Sequence, residues 1–233
     1  MGKVLGILGG MGPLASAEFM KTIYEFNIAG SEQQMPTCLL YSDPTIPDRT
    51  AAILEGRDDL IVPHLTGALE QLCRLGVSRI VIACVTAHYF LPRLPAELRD
   101  KIVSLVDLTL EHVVRSKQPQ LLLCTHGTRK VGIFQQHPKW RLAAPYILFP
   151  RDDDQGRIHT LIYQIKQGKR YERAIPELDA LLERYGTRCF IAGCTELHLL
   201  TKHLLQGEYE CKPYGITDPL LIVATELRRF INT

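Results

Sequence analysis

Several common signatures are missing from this 233-residue chain. Lys and Arg (27) nearly balance Asp and Glu (25), for a net charge of +2, so there is no basic field for nucleic acid. No apolar run is long enough to span a bilayer, and a membrane partner is not expected. The opening Met1-Gly2-Lys3-Val4-Leu5-Gly6-Ile7-Leu8 is too short and too Gly-rich for a secretory leader. Gly6 also stands where an N-myristoylation pattern needs Ser or Thr. The seven cysteines include no Cys-x-x-Cys pair. Their odd count and scatter argue against a disulfide framework and for a reducing, cytosolic setting. No flexible linker interrupts the chain.

What is present alternates between short apolar runs and helical spacing. Strands are expected at 3–8, 37–42 and 79–83, and, in a second series beginning after about residue 102, at 121–123, 146–149 and 188–192. Between them, a helix starts near Pro13 with Phe19, Ile23 and Phe26 on one face, and others are read at 59–76, 157–168, 171–186 and 220–230. Residues 43–50 read as a loop stiffened by Pro44 and Pro47, and 151–156 as an exposed polar loop or helix start. Alternating β and α favours α/β architecture with mainly parallel sheets. Cys38, Cys73, Cys189 and Cys211 are read as small core residues.

Two stretches organise the chain, Ala83-Cys84-Val85-Thr86-Ala87-His88 and Ala192-Gly193-Cys194-Thr195-Glu196-Leu197-His198. Each follows a β-branched apolar run and opens into helical spacing, which puts a cysteine where open α/β sheets hold ligands. A helix N-terminus favours the reactive thiolate. A buried structural cysteine is the ordinary role for one such residue; two in matching contexts point to a paired site. The Cys-x-x-x-His spacing in both also allows a Cys₂His₂ metal shell, against which His198 is more simply a surface or capping residue. Each half has a turn after its first strand, Gly9-Gly10-Met11-Gly12 and Thr125-His126-Gly127-Thr128. The first lacks the dinucleotide spacing; backbone amides open to a carboxylate are the better reading of both. Arg49 is a candidate bidentate carboxylate clamp. Lys166 is a candidate second cation, or part of a solvated helix end with Lys169 and Arg170. Glu196 either hydrogen-bonds near Cys194 or favours its helix's first turn.

Gly9-Gly10-Met11-Gly12-Pro13, the 43–50 loop, Cys84-x-Thr86-Ala87-His88, Thr125-x-Gly127-Thr128 and Gly193-Cys194-Thr195-Glu196 together resemble the aspartate/glutamate racemase family, in order from about residue 3 to residue 200. The first motif is nearest the aspartate branch. The resemblance implies two pseudo-symmetric α/β lobes with the active site in the cleft between them. It also implies a homodimer and catalysis with neither pyridoxal phosphate nor metal. The lobes would be 1–102 with 217–233, the C-terminal helix packing back, and 103–216. Cys84 and Cys194 would be the two acid/base residues acting on a small acidic amino acid. Arg49 and Lys166 would hold its carboxylates. Met11, Gly12, Pro13, Val85, Thr86, Thr125, Gly127, Thr128, Thr195 and Glu196 would complete the substrate contacts. The family usually has Asn where this chain has Val85, which removes a polar group from the expected shell. The implied activity is two-base racemisation of aspartate. Glutamate or hydantoin racemisation, or a binding protein that kept the fold, are the alternatives.

Overall fold

A computed structural model describes residues 3–168, 174–206 and 214–231. Lys169, Arg170, the first residues of the 171–186 stretch and Cys211 lie outside these. The first half runs β1 (Val4–Gly9), α1 (Pro13–Phe26), β2 (Thr37–Ser42), α2 (Arg49–Glu55), α3 (Ile61–Arg74), β3 (Arg79–Ile82) and α4 (Ala96–Arg99). It continues through α5 (Leu105–Ser116), β4 (Gln120–Leu123), α6 (His126–Val131), α7 (Trp140–Ala143), β5 (Ile147–Leu148), α8 (Asp152–Lys166) and α9 (Ala174–Arg184). The last elements are β6 (Cys189–Ala192), α10 (Leu197–Gln206), β7 (Gly215–Thr217), α11 (Pro219–Thr225) and α12 (Leu227–Ile231).

The strands form two parallel sheets, ordered β2-β1-β3 and β5-β4-β6-β7. This is the two-lobe α/β arrangement expected. Strands buried on both faces explain why β1, β3, β4 and β6 read as continuous apolar runs. Side-chain alternation then divides the interior. Leu122, Cys124 and Ile191 face a core shared with β1, β3, α1, α3 and α5, whereas Leu121, Leu123, Phe190 and Ala192 face a second core under α8, α9 and α10. One face of the second sheet therefore helps to build the first lobe's core, and the lobes cannot part without exposing it.

Several expectations shift. Phe26 is 47% exposed rather than facing the core beside Phe19 and Ile23; its ring lies under the Lys202 ammonium, 5.2 Å away. The 43–50 loop ends at Asp48, whose carboxylate accepts from the Ala51 N–H and caps α2, so Arg49 opens a helix. The 151–156 stretch is largely helical, and Asp154 and Gln155 in it are buried. Asp154 is held by Arg184 and Tyr185 of α9's end. The C-terminal helix is two, broken at Glu226; the first is capped by Asp218 with Pro219 at its start, and both bury apolar residues in the first core. Cys38 is buried, while Cys73 and Cys189 are only half-buried. Among the described residues no helix is long and apolar enough to cross a membrane.

Candidate active site

The C-terminal ends of β1, β3, β4 and β6 meet α2 and α8 around one cleft of about 280 Å³, its open mouth included. Parallel α/β sheets expose backbone and side chains for ligands at this end. Met11, Arg49, Cys84, Thr86, Thr125, Lys166, Cys194 and Glu196 all line the cleft. So do Asp48, Thr50, Ile162 and Tyr163, which sequence reasoning did not single out. Asp48 and Thr50 flank Arg49, and Tyr163 lies one helical turn before Lys166, so that their neighbours were the available signal.

The remaining expected residues are near but not on its wall. Gly12 lies beneath Glu196, where a Cβ would sit 2.5 Å from Oε1. Gly127 meets α2, where a Cβ would come within 2.9 Å of the Thr50 backbone. Pro13 starts α1 and is exposed. The Thr195 hydroxyl donates to the Ala83 carbonyl (3.0 Å), tying the two cysteine turns together. Thr128 shares a 2.7 Å hydrogen bond with Thr86. Val85 is buried among the first core's apolar side chains. Its replacement of the family's Asn therefore alters packing rather than the cleft wall.

Three of the amides expected to receive a carboxylate have partners within the protein. The Gly10 N–H donates to the Ser16 hydroxyl, that of Thr128 to Thr125 Oγ1, and that of His126 to His159 Nδ1. Short-range capping by Ser and Thr satisfies these donors first. What the cleft offers instead is hydroxyls: Thr50, Thr86, Thr125 and Thr128 form one hydrogen-bonded cluster.

Charge is arranged asymmetrically. Arg49, buried, donates from Nη1 to the Ile46 and Pro47 carbonyls and from Nη2 to the Met11 carbonyl. That leaves Nε–H, which has no protein partner, and one Nη2 hydrogen, so the clamp is smaller than a free guanidinium. Burial opposes its charge, but the Cys84 sulfur and Asp48 outweigh this and raise its pKa. Lys166 pairs with Asp48 at 3.2 Å. Burial pushes the Asp48 carboxyl up, yet the Ala51 N–H, Lys166 and Arg49 together hold it low. The Tyr163 hydroxyl donates to Asp48 at 3.1 Å; burial, with Asp48, raises its pKa. On the far side, the Cys194 thiol donates to Glu196 Oε2 at 2.8 Å. Burial, then the Glu196 carboxylate, then Cys84 push the Cys194 pKa well up.

The histidines do not complete a metal shell. His88 Nδ1–H donates to the Cys84 carbonyl and Nε2 accepts from the Leu105 N–H, both at 3.0 Å. Burial lowers its pKa to about 4, so the ring is neutral. His198 is fully buried, not superficial, and both its nitrogens are engaged by Asp218 and Thr22.

Residues 8–225 match the family described as Asp/Glu/hydantoin racemase. The chain belongs to that racemase family. Among its relatives is the broad specificity amino-acid racemase RacX of Bacillus subtilis, 24% identical over 86% of this chain and 88% of that one. The aspartate racemase of Picrophilus torridus superposes with a TM-score of 0.83 at 25% identity, covering 99% of this chain and 95% of the other. The glutamate racemase of Francisella tularensis, in complex with D-glutamate, shares the fold at 13% identity (TM-score 0.65, 99% and 81% covered).

Proposed function

We propose that this racemase interconverts L- and D-aspartate by proton transfer between Cys84 and Cys194. The observation that supports this reading is that two thiols line one cleft together with two cations, Arg49 and Lys166. Inverting an α-carbon needs a base on one face and an acid on the other. The Arg49 guanidinium lies beside the Cys84 sulfur, while burial and then Glu196 push the Cys194 pKa up and favour its thiol form. Cys84 as thiolate takes the α-proton from one face; Cys194 gives its S–H proton to the other. The enzyme is left with the protons exchanged, ready for the reverse direction. Negative charge that develops on the substrate carboxylate meets the uncommitted Arg49 donors, held in place before the substrate arrives beside the mutually hydrogen-bonded Thr50, Thr125 and Thr86 hydroxyls. The side-chain carboxylate is assigned to Lys166 in competition with Asp48.

That competition favours a second reading. Because Asp48 already neutralises Lys166, a substrate without a distal carboxylate would fit as well, and the specificity would be broad. Incubating purified protein with single enantiomers of aspartate, glutamate and neutral amino acids, with chiral chromatography of the products, decides between them. Racemisation of aspartate with kcat/KM at least about tenfold above any other supports the first reading. Equal rates on neutral amino acids would replace it with the second, and no racemisation of any would end both.

A further inference from the structure

His198 is a buried titratable group that the chemistry above does not use. Its Nδ1 lies 2.7 Å from Asp218 Oδ2 and its Nε2 lies 2.9 Å from the Thr22 hydroxyl. Thr22 gives its one hydroxyl hydrogen to the Glu18 carbonyl, 2.8 Å away. Pointing that hydrogen at the ring would leave two bare acceptors in contact, so Thr22 can only accept from Nε2–H. Nδ1 faces a carboxylate and is likewise a donor. Both ring nitrogens are then placed to act as donors. The charge that faces them comes from α11's side. Burial pushes the Asp218 carboxyl up, but His198 and the Leu220 and Leu221 amides outweigh it and keep it ionised. On α1 the nearby carboxylate Glu25 is committed to Lys21 and Lys202, and Phe19 presents its ring edge-on at 6.2 Å.

The location gives the pair a role. The His198 N–H donates to the Thr195 carbonyl, and the Leu197 N–H to the Cys194 carbonyl, so the ring is wired to the turn that carries the reacting thiol. α1 lies alongside, with Gly12 against Glu196 at one end and Thr22 against His198 further on. We propose that the His198 imidazolium, clasped by Asp218 and Thr22, is a positioning residue that holds the Cys194–Glu196 turn against α1 for proton transfer. This rests on the reading of Cys194 as an acid/base residue. The clasp joins three helices, and a shift of about 1 Å in a reacting group can cost about a hundredfold in rate.

Asp218→Asn tests it directly. The amide oxygen can still accept from Leu220 and Leu221, preserving the α11 cap, while its NH₂ faces Nδ1 and expels one ring proton. In the parent, nitrogen–proton correlation spectra should show two ring N–H signals for His198 at pH 7, and in the variant one. The variant's kcat should fall at least about tenfold with KM changed less than about twofold. Alkylation by iodoacetamide, followed at each cysteine by mass spectrometry across pH, should show the Cys194 midpoint falling and that of Cys84 unmoved. Thr22→Val, which removes only the Nε2 partner, should move the same readouts and serves if Asp218→Asn does not fold. A single ring proton in the parent, or folded variants whose kcat and Cys194 profile match it, would overturn the proposal. So would an activity loss that merely tracks folded fraction. A parent that racemises nothing defeats the reading of the site; the ring-proton and alkylation measurements need no turnover and still judge the clasp.

Discussion

The turns carrying Cys84 and Cys194 are built alike and surrounded differently. Each leaves the end of a parallel strand, β3 at the edge of its sheet and β6 inside the other, and each sulfur lines the same cleft. Yet Cys84 is followed by a 3₁₀ turn and faces the Arg49 guanidinium, whereas Cys194 leads into α10 and donates to the Glu196 carboxylate. One thiol has a cation beside it and the other an anion. Strand geometry, which the two halves share, sets where the sulfurs sit. Their charged neighbours come from α2 for Cys84 and from the turn itself for Cys194, which the halves do not share. A similar strand-to-turn arrangement thus yields two sulfur positions, and unlike neighbours give them unlike electrostatic surroundings.

The most damaging test of that contrast is removal of either sulfur. Cys84→Ser and Cys194→Ser should each lower racemisation kcat by about 10²–10⁴-fold, read by chiral chromatography. Full activity in either would break the pairing. Gly12→Ala comes next: its Cβ would meet Glu196 Oε1 at 2.5 Å, forcing the acid side of the cleft to move. Because the atom met is the end of a flexible side chain, denaturant titrations should show little stability loss while rate assays show a fall in kcat. Glu196→Gln sharpens the comparison by erasing the charge difference. Without the carboxylate, the Cys194 thiolate is less opposed, so its alkylation midpoint should move to lower pH while Cys84 stays in place.

Smaller effects concern the supports. The neutral His88 ring, at about 4 against an ordinary 6.5, leaves the unfolded chain to bind a proton first as pH falls. Stability present above pH 6.5 should therefore decline between 6.5 and 4, by at most about 3 kcal/mol. His88→Gln should flatten that part of the pH–melting curve. Val85→Asn should cost about 1–3 kcal/mol by burying an amide among apolar side chains. It should not lower KM for aspartate; a lowered KM would return residue 85 to the cleft wall.

Legibility followed the range of the forces involved. The second strand was read at its full observed extent, 37–42, because an apolar run between a proline and a turn is a local signal. β7, three residues at a sheet edge, carries too little pattern to announce itself. α5 buries Leu105, Val106, Leu108, Leu110 and Val113 and leaves Asp107, Glu111, Arg115 and Ser116 outward, an amphipathic pattern that the sequence reading passed over. In the cleft, the cysteines, Arg49 and Lys166 were visible as motifs with chemistry of their own. Asp48 and Tyr163 acquire meaning only through Lys166 and one another, across more than a hundred residues of chain. In the Gly-rich turn, the Gly10 amide is taken by Ser16, which bonds back from the following helix.

Residue order alone determined the β/α alternation, the pair of cysteines at strand ends and the kinship with racemases, since these rest on local periodicity and contiguous motifs. Only the folded chain decided which thiol faces a cation and which a carboxylate, that Val85 turns inward, and that His198 is buried between Asp218 and Thr22. Those outcomes depend on which side chains meet across distant segments, and on how far burial raises the cost of charge where they meet.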